Sequence, residues 1–206
     1  METKEIKKNL LNFYNQEAAH RDSGVKQEWK IAQRDVFCEK IKEERKKTLL
    51  EIGAGTGHDS QFFMSRGLEV TAVDISAEMV RLCREKRVDA YEMDFYALSS
   101  LQRKFDCVWA MNCLLHVPKP DLPRVLENIN GVLNEGGLFY MGVYGGEDAE
   151  SNHVNEISET PRFFSFFLEQ SLKNILKEVF DILSFDQIEV SDKFQFQSVI
   201  MRKRIR

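Results

Sequence analysis

The stretch Thr48-Leu-Leu-Glu-Ile-Gly-Ala-Gly-Thr-Gly57 decides the fold. Leu49, Leu50 and Ile52 make an apolar run too short for a helix and suited to a buried strand. Gly53, Gly55 and Gly57 follow at alternate positions, where the missing Cβ allows backbone angles and close approach that other residues forbid. Asp59 to Arg66 then reads as a helix. A strand, a glycine turn and a helix in succession form the ligand crevice of a doubly wound α/β sheet, where small molecules bind beyond the carboxyl ends of the strands.

Spacing selects among the ligands that such turns serve. The dinucleotide fingerprint needs Gly or Ala at its sixth position, which here is His58; the P-loop needs Gly-Lys-Ser/Thr where this chain has Gly57-His-Asp. Neither phosphate-binding pattern is met. Glu69 to Asp74 is a second strand, and its terminal acid falls at the spacing from Gly53 that lets a carboxylate accept ribose hydroxyls. Ser76 is an N-cap for a helix with Met79, Leu82 and Cys83 on its apolar face. Ala90 to Met93 is a third strand ending in Asp94-Phe95. Phe105 to Ala110 is a fourth, followed by the loop Met111-Asn-Cys-Leu-Leu-His-Val117.

Together these segments resemble the class I S-adenosylmethionine (SAM)-dependent methyltransferases, in which Glu or Asp opens a Gly-x-Gly-x-Gly turn, here Glu51 before Gly53, Gly55 and Gly57. The resemblance covers nearly the whole chain and is closest to small bacterial methyltransferase domains of the type 11/25 kind. It implies a Rossmann-like three-layer αβα sandwich with a seven-stranded sheet of order 3-2-1-4-5-7-6, strand 7 antiparallel. It also implies SAM as cofactor, S-adenosylhomocysteine (SAH) as product, and no metal. By that likeness Glu51, Gly53, Ala54, Gly55 and Gly57 contact the cofactor at the turn, Asp74, Ile75 and Met79 at the ribose, Asp94 and Phe95 at the adenine, and Asn112 after strand four. His58 departs from the pattern, standing where related chains often have Arg. His116 is the best-placed general base, the alternative being that it packs beside the adenosine; His153, Glu156 and Glu159 have no supporting motif.

Before the first strand, residues 3 to 14 and 25 to 45 read as helices, the second with Trp29, Ala32, Val36, Phe37 and Ile41 on one stripe. Residues 1–46 are thus expected as a helical cap. Tyr14 to Gly24 between the helices is polar; by the resemblance Tyr14 and Arg21 are lid residues near the SAM carboxylate, the alternative being a plain connector. Downstream, Asp121 is expected to cap a helix that Gly136-Gly137 stops, and Leu138 to Tyr144 is the fifth strand. Gly145 to Pro161 holds five acids and no Lys or Arg, so residues 145–165 read as an insertion where substrates enter. The aromatic run Arg162 to Phe167 and Tyr144 are expected to wall the acceptor site. A helix with Leu168, Leu172, Ile175, Leu176, Val179 and Phe180 inward follows, then a hairpin of Ile182–Val190 and Phe194–Met201 about the turn Ser191-Asp192-Lys193.

Composition fits one enzyme domain over residues 1–206. Hydrophobic residues make up 43% and charged residues 30%, an ordinary globular balance. No apolar run approaches a membrane span of roughly 20 residues, and Met1-Glu-Thr-Lys-Glu5 lacks a signal-peptide apolar region, so a cytoplasmic protein without a membrane partner is expected. Cys38, Cys83, Cys107 and Cys113 form no CxxC pair and read as reduced core residues; the four histidines have no metal-ligand spacing. Net charge is −4, and the basic run Arg202-Lys-Arg-Ile-Arg206 reads as a solvated end, so no nucleic-acid partner is expected. The loop after strand four lacks the Asn/Asp-Pro-Pro-Tyr pattern of nucleobase amine methyltransferases. The expected activity is methyl transfer from SAM to a small-molecule O, N or C nucleophile by a monomer or homodimer. The alternatives are a non-catalytic SAM-binding sensor, or transfer to a peptide or nucleic acid.

Overall fold

A computed structural model of the chain describes residues 3–154, 159–190 and 195–205. Leu49 and Leu50 of β1 (Thr48–Ile52) are both fully buried, because neighbouring strand side chains point to opposite faces and this sheet is covered on both. β1 pairs in parallel with β2 (Glu69–Asp74) and β4 (Phe105–Met111); β3 (Asp89–Glu92) flanks β2, and β5 (Leu133–Gly145) flanks β4. Beyond β5, β9 (Gln195–Lys203) runs antiparallel between β5 and β8 (Phe180–Glu189). The order is therefore β3-β2-β1-β4-β5-β9-β8. This is the order expected from the sequence, with the last two strands renumbered because β6 (Ala149–His153) and β7 (Arg162–Phe166) precede them as a separate antiparallel pair.

On one face lie α2 (Glu28–Glu43), α3 (His58–Ser65) and α4 (Ala77–Glu85). Phe37, Ile41 and Phe63 from the first two meet Leu49, Trp109 and Tyr140, whose last two rings stack at 3.9 Å. On the other face α5 (Leu122–Val132) and α6 (Glu169–Val179) bring Val125, Leu126, Ile129 and Leu172 against Leu50, Val108, Phe139 and Met141. α1 (Thr3–Asp22) belongs to neither layer. It crosses the carboxyl ends of the strands, packing Ala18 on Met79 and Leu82 of α4 and Ile6 and Leu10 on Phe163 of β7.

Several expectations are corrected. The segment from Tyr14 is not a polar connector: α1 continues to Asp22, since no Gly or Pro occurs before Gly24 and the buried face Ile6, Leu10, Phe13, Glu17 and Ala18 runs on at helical spacing. α2 is rotated from its expected stripe, leaving Val36 53% exposed so that Phe37 can reach the rings of Trp109 and Tyr140. α5 ends at Val132, and Gly136-Gly137 lies within β5 rather than stopping the helix. Asp121 makes no capping bond; its carboxylate accepts from the Tyr96 hydroxyl at 3.0 Å. Leu168 is 48% exposed, and Phe180 starts β8 instead of ending α6. The acidic segment after β5 is partly the strand β6; its residues 155–158, Glu156 included, and the hairpin residues 191–194 lie outside the described residues.

Candidate functional site

The three turn glycines all have positive φ, +65°, +55° and +84° at Gly53, Gly55 and Gly57. Their surroundings differ. A Cβ on Gly53 would lie 2.3 Å from the Cys113 Cβ, and one on Gly57 would lie 2.9 Å from the Cys83 Sγ. Those two glycines let the β4 loop and α4 pack against the turn. Gly55 meets nothing within 4 Å. Its N–H donates to Asp74 Oδ2 at 2.8 Å, and the Ser76 N–H donates to Oδ1 at 2.9 Å, so one carboxylate ties the turn to the corner between β2 and α4. Burial raises the Asp74 pKa to about 6 against the pull of those two donors. A raised acid favours the folded chain at low pH: that contribution is full below the unfolded value and is lost as pH rises through about 6.

Above Gly55 opens a cavity of about 630 Å³, at the carboxyl ends of the strands and roofed by α1. Of the residues expected from the sequence, Tyr14, Arg21, Glu51, Gly53, Ala54, Gly55, Asp74, Ile75, Met79, Asp94, Phe95, Asn112 and His116 all line it; Gly57 does not. Tyr144 and the Arg162–Phe167 run, expected to wall the acceptor site, are not among its lining; α1 and the α1–α2 connection are. The roof is pinned along its length. Lys7 Nζ pairs with Asp94 Oδ2 at 2.6 Å, the Ser76 hydroxyl donates to Asn15 Oδ1 at 2.6 Å, and Lys86, just after α4, pairs with Asp22.

At its centre the Tyr14 hydroxyl lies 2.6 Å from His116 Nε2. His116 Nδ1 is 2.6 Å from the Phe163 carbonyl oxygen, which can only accept, so the neutral ring carries its proton on Nδ1 and Tyr14 donates to Nε2. Burial pushes the His116 pKa down to about 3 and holds the Tyr14 hydroxyl above its ordinary value. His153, the other histidine singled out, sits among Phe164, Phe166 and Ser151 of the β6–β7 pair.

Acids crowd the floor beside the turn. Glu51 accepts from the Ser60 hydroxyl; burial first, then the Asp59 carboxylate, raises its pKa to about 8. Asp59 is compensated by Lys26, by Arg34 at 3.1 Å and by the Trp109 indole N–H at 3.2 Å. Lys30 also reaches the cavity, its pKa lowered to about 8 by burial and then by Lys26 and Arg21. Asn112 has φ +58°, and its Oδ1 is buried without a hydrogen-bond partner. Glu17, Lys30 and Asp59 were not candidates in the sequence. The signal for Glu17 was its helical spacing of three and four residues from Tyr14 and Arg21, visible only once α1 is known to continue.

Among the described residues no group of three or more His, Cys, Asp or Glu could hold a metal ion, and no helix is long and apolar enough to cross a membrane. All four cysteines are free and buried.

A parallel sheet closed by an antiparallel hairpin, with a glycine turn and an acid at successive strand ends, defines a class I methyltransferase fold. The family model described as "Methyltransferase domain" matches residues 49–137. The chain is 29% identical over 105 residues to malonyl-[acyl-carrier protein] O-methyltransferase of Pseudescherichia vulneris, covering 50% of this chain and 41% of that protein. The enzyme of the same name from Pectobacterium atrosepticum is 37% identical over 94 residues, covering 44% of this chain and 36% of its own length. The chain thus spans well under half of these curated relatives. In fold it is similar to the crystal structure of Burkholderia thailandensis 1,6-didemethyltoxoflavin-N1-methyltransferase with bound 1,6-didemethyltoxoflavin and S-adenosylhomocysteine (TM-score 0.77, 20% identity, covering 100% of this chain and 92% of that one). Residues 49–137 thus match the methyltransferase domain family, and the whole chain shares the class I methyltransferase fold.

The glycines differ in a testable way. Gly53→Ala, which meets Cys113 at 2.3 Å, is expected to lower the melting temperature clearly more than Gly55→Ala, which faces open space and bears only the left-handed backbone cost of about 1–2 kcal/mol. Equal losses in thermal unfolding would contradict the assignment of Gly55 to the cavity wall.

Proposed function

We propose that this chain transfers a methyl group from SAM to a small-molecule acceptor. The observation that carries the reading is the buried Asp74 carboxylate, ionised above about pH 6, beside a glycine turn that opens on the cavity. A phosphate placed 4 Å from one ionised carboxylate would meet about 4 kcal/mol of repulsion at an effective dielectric near 20. SAM brings a sulfonium and an ammonium and no phosphate. The residues present fit it: Asp74 keeps acceptor capacity for ribose hydroxyls beyond its two backbone donors, and the unpartnered Asn112 Oδ1 awaits an N–H. Asp94 and Phe95 would hold the adenine, with Lys7 exchanging or sharing the Asp94 carboxylate.

When bound, SAM supplies an activated methyl group. The chain's own work is alignment and exclusion of water. Residues 1–46 serve as the cap, α1 closing the cavity through Tyr14 while Arg21 lies over its ring at 5.0 Å. The Phe163 carbonyl fixes the His116 ring with Nε2 toward Tyr14; for Nε2 to take a proton from an acceptor, Tyr14 must yield its place and the opening of the cap must lift the burial that lowers the His116 pKa to about 3. The relatives named above are, by their names, an O-methyltransferase of malonyl-[acyl-carrier protein] and an N1-methyltransferase of 1,6-didemethyltoxoflavin, so oxygen and nitrogen acceptors both occur on this fold.

Calorimetry is expected to show binding of SAM and SAH without competition from NAD, NADP or ATP. Asp74→Ala should weaken SAH by about tenfold or more, since a hydrogen bond to a charged group is worth about 1.5–3 kcal/mol. Affinity should also fall as pH drops through about 6, where Asp74 takes up a proton and loses acceptor strength. An unchanged affinity in the variant and at pH 5 would place the ribose elsewhere.

Transfer of labelled methyl from SAM into a metabolite extract tests the activity itself. With the acceptor so found, His116→Ala is expected to lower turnover by about 10²-fold while SAH affinity holds. Turnover that survives at saturating SAM, with SAH affinity reduced, would assign the ring to packing instead. A chain that binds SAM and labels nothing would be a sensor.

A further inference from the structure

Glu17 is 5% exposed, lines the cavity, and has no hydrogen bond or ion pair with any described residue. The other buried acids of the site are all answered: Asp59 by Lys26, Arg34 and Trp109, Asp74 by two backbone N–H groups, and Glu51 by Ser60. The Glu17 carboxylate therefore opens on the cavity with its acceptor capacity unspent, ready for a donor that a ligand brings there. Arg21, one turn further along α1, is the obvious partner and is used otherwise, its guanidinium lying over the Tyr14 ring. The position of Glu17 narrows the choice of ligand. It projects from the roof, whereas the turn and the strand-end acids that fit SAM form the floor, and Ile6, Leu10, Val25 and Met111 add apolar surface to the same cavity.

We propose that Glu17 is a specificity-determining residue for the methyl acceptor. It selects an acceptor with an apolar body and a protonated or N–H-bearing nitrogen, and it rejects carboxylates and phosphates. This rests on the methyl-transfer reading, and the ammonium of SAM is the other possible source of the same chemistry. The test therefore separates the three. The full chain is first titrated with SAH, and failure to bind would overturn both the reading and the proposal. The SAH-saturated protein is then titrated with benzylamine, benzyl alcohol and benzoate, a series that shares one apolar body. The expected result is that benzylamine binds at least about tenfold more tightly than the other two, that Glu17→Gln erases the preference, and that SAH affinity changes by less than about twofold. The melting temperature of Glu17→Gln should not fall, because the carboxylate makes no hydrogen bond or ion pair with a described residue for the substitution to break.

Failure of benzylamine to bind preferentially to wild type would overturn the proposal while leaving the methyl-transfer reading intact. A loss of SAH affinity of about tenfold in Glu17→Gln would assign the carboxylate to the cofactor's ammonium. A lowered melting temperature, or a variant that fails to fold, would mark Glu17 as a structural acid, and either result also overturns the proposal.

Discussion

Everything in this site answers to one electrostatic constraint: carboxylates are buried around a single turn of backbone. Glu51 and Asp59 lie close enough for the charge of one to raise the pKa of the other, and Asp74 sits across the same glycine turn. Taking such groups out of water is costly, and each is kept by a particular donor. Those donors come from separate elements. Ser60 and Trp109 draw α3 and β4 together, Arg34 brings in α2, and the amides of Gly55 and Ser76 hold the turn to the start of α4. Asp74 is the acid left to receive a ligand's hydroxyls, since the Glu51 pKa is raised to about 8 and Asp59 is paired with Lys26 and Arg34, and a carboxylate in that place separates this crevice from one built for phosphate.

The roof follows from the floor. α1 meets the strand-end loops with Lys7 on Asp94, Tyr14 on His116 and Asn15 on Ser76, and the far end of α4 with Asp22 on Lys86. These polar contacts flank one apolar stripe: Phe13 is fully buried, Ile6 and Leu10 reach Phe163, and Ala18 reaches α4.

The floor was legible in the sequence because its signals are local. Gly53, Gly55 and Gly57 follow an apolar run, Asp74 ends the next strand, and the Ser76 hydroxyl accepts from the Met79 N–H as its N-cap position predicts. The antiparallel hairpin was legible from alternation, which β8 keeps by exposing Asp181, Leu183 and Glu189 beside half-buried neighbours, whereas β9 is buried almost throughout. The roof was harder to read. Asn15, Gln16, His20 and Arg21 look like connector residues until their neighbours are known, and only the packing of Ala18 and the burial of Glu17 keep that segment helical. The β6–β7 pair was also hidden, because its partners lie on either side of an acidic stretch and pairing between distant segments leaves no periodic mark of its own. Gly57 shows the limit of motif reading: a conformation-permitting residue in the right place serves packing against Cys83 rather than the cavity.

The most direct measurement is a crystal structure of the chain grown with SAH. The expected density lies beneath α1, with the ribose at Asp74, the adenine between Asp94 and Phe95, and Asn112 Oδ1 paired to an N–H of the ligand. Density at any other place on the protein, or a bound state in which Asp74 keeps only its Gly55 and Ser76 donors, would contradict the assignment of this cavity to the cofactor.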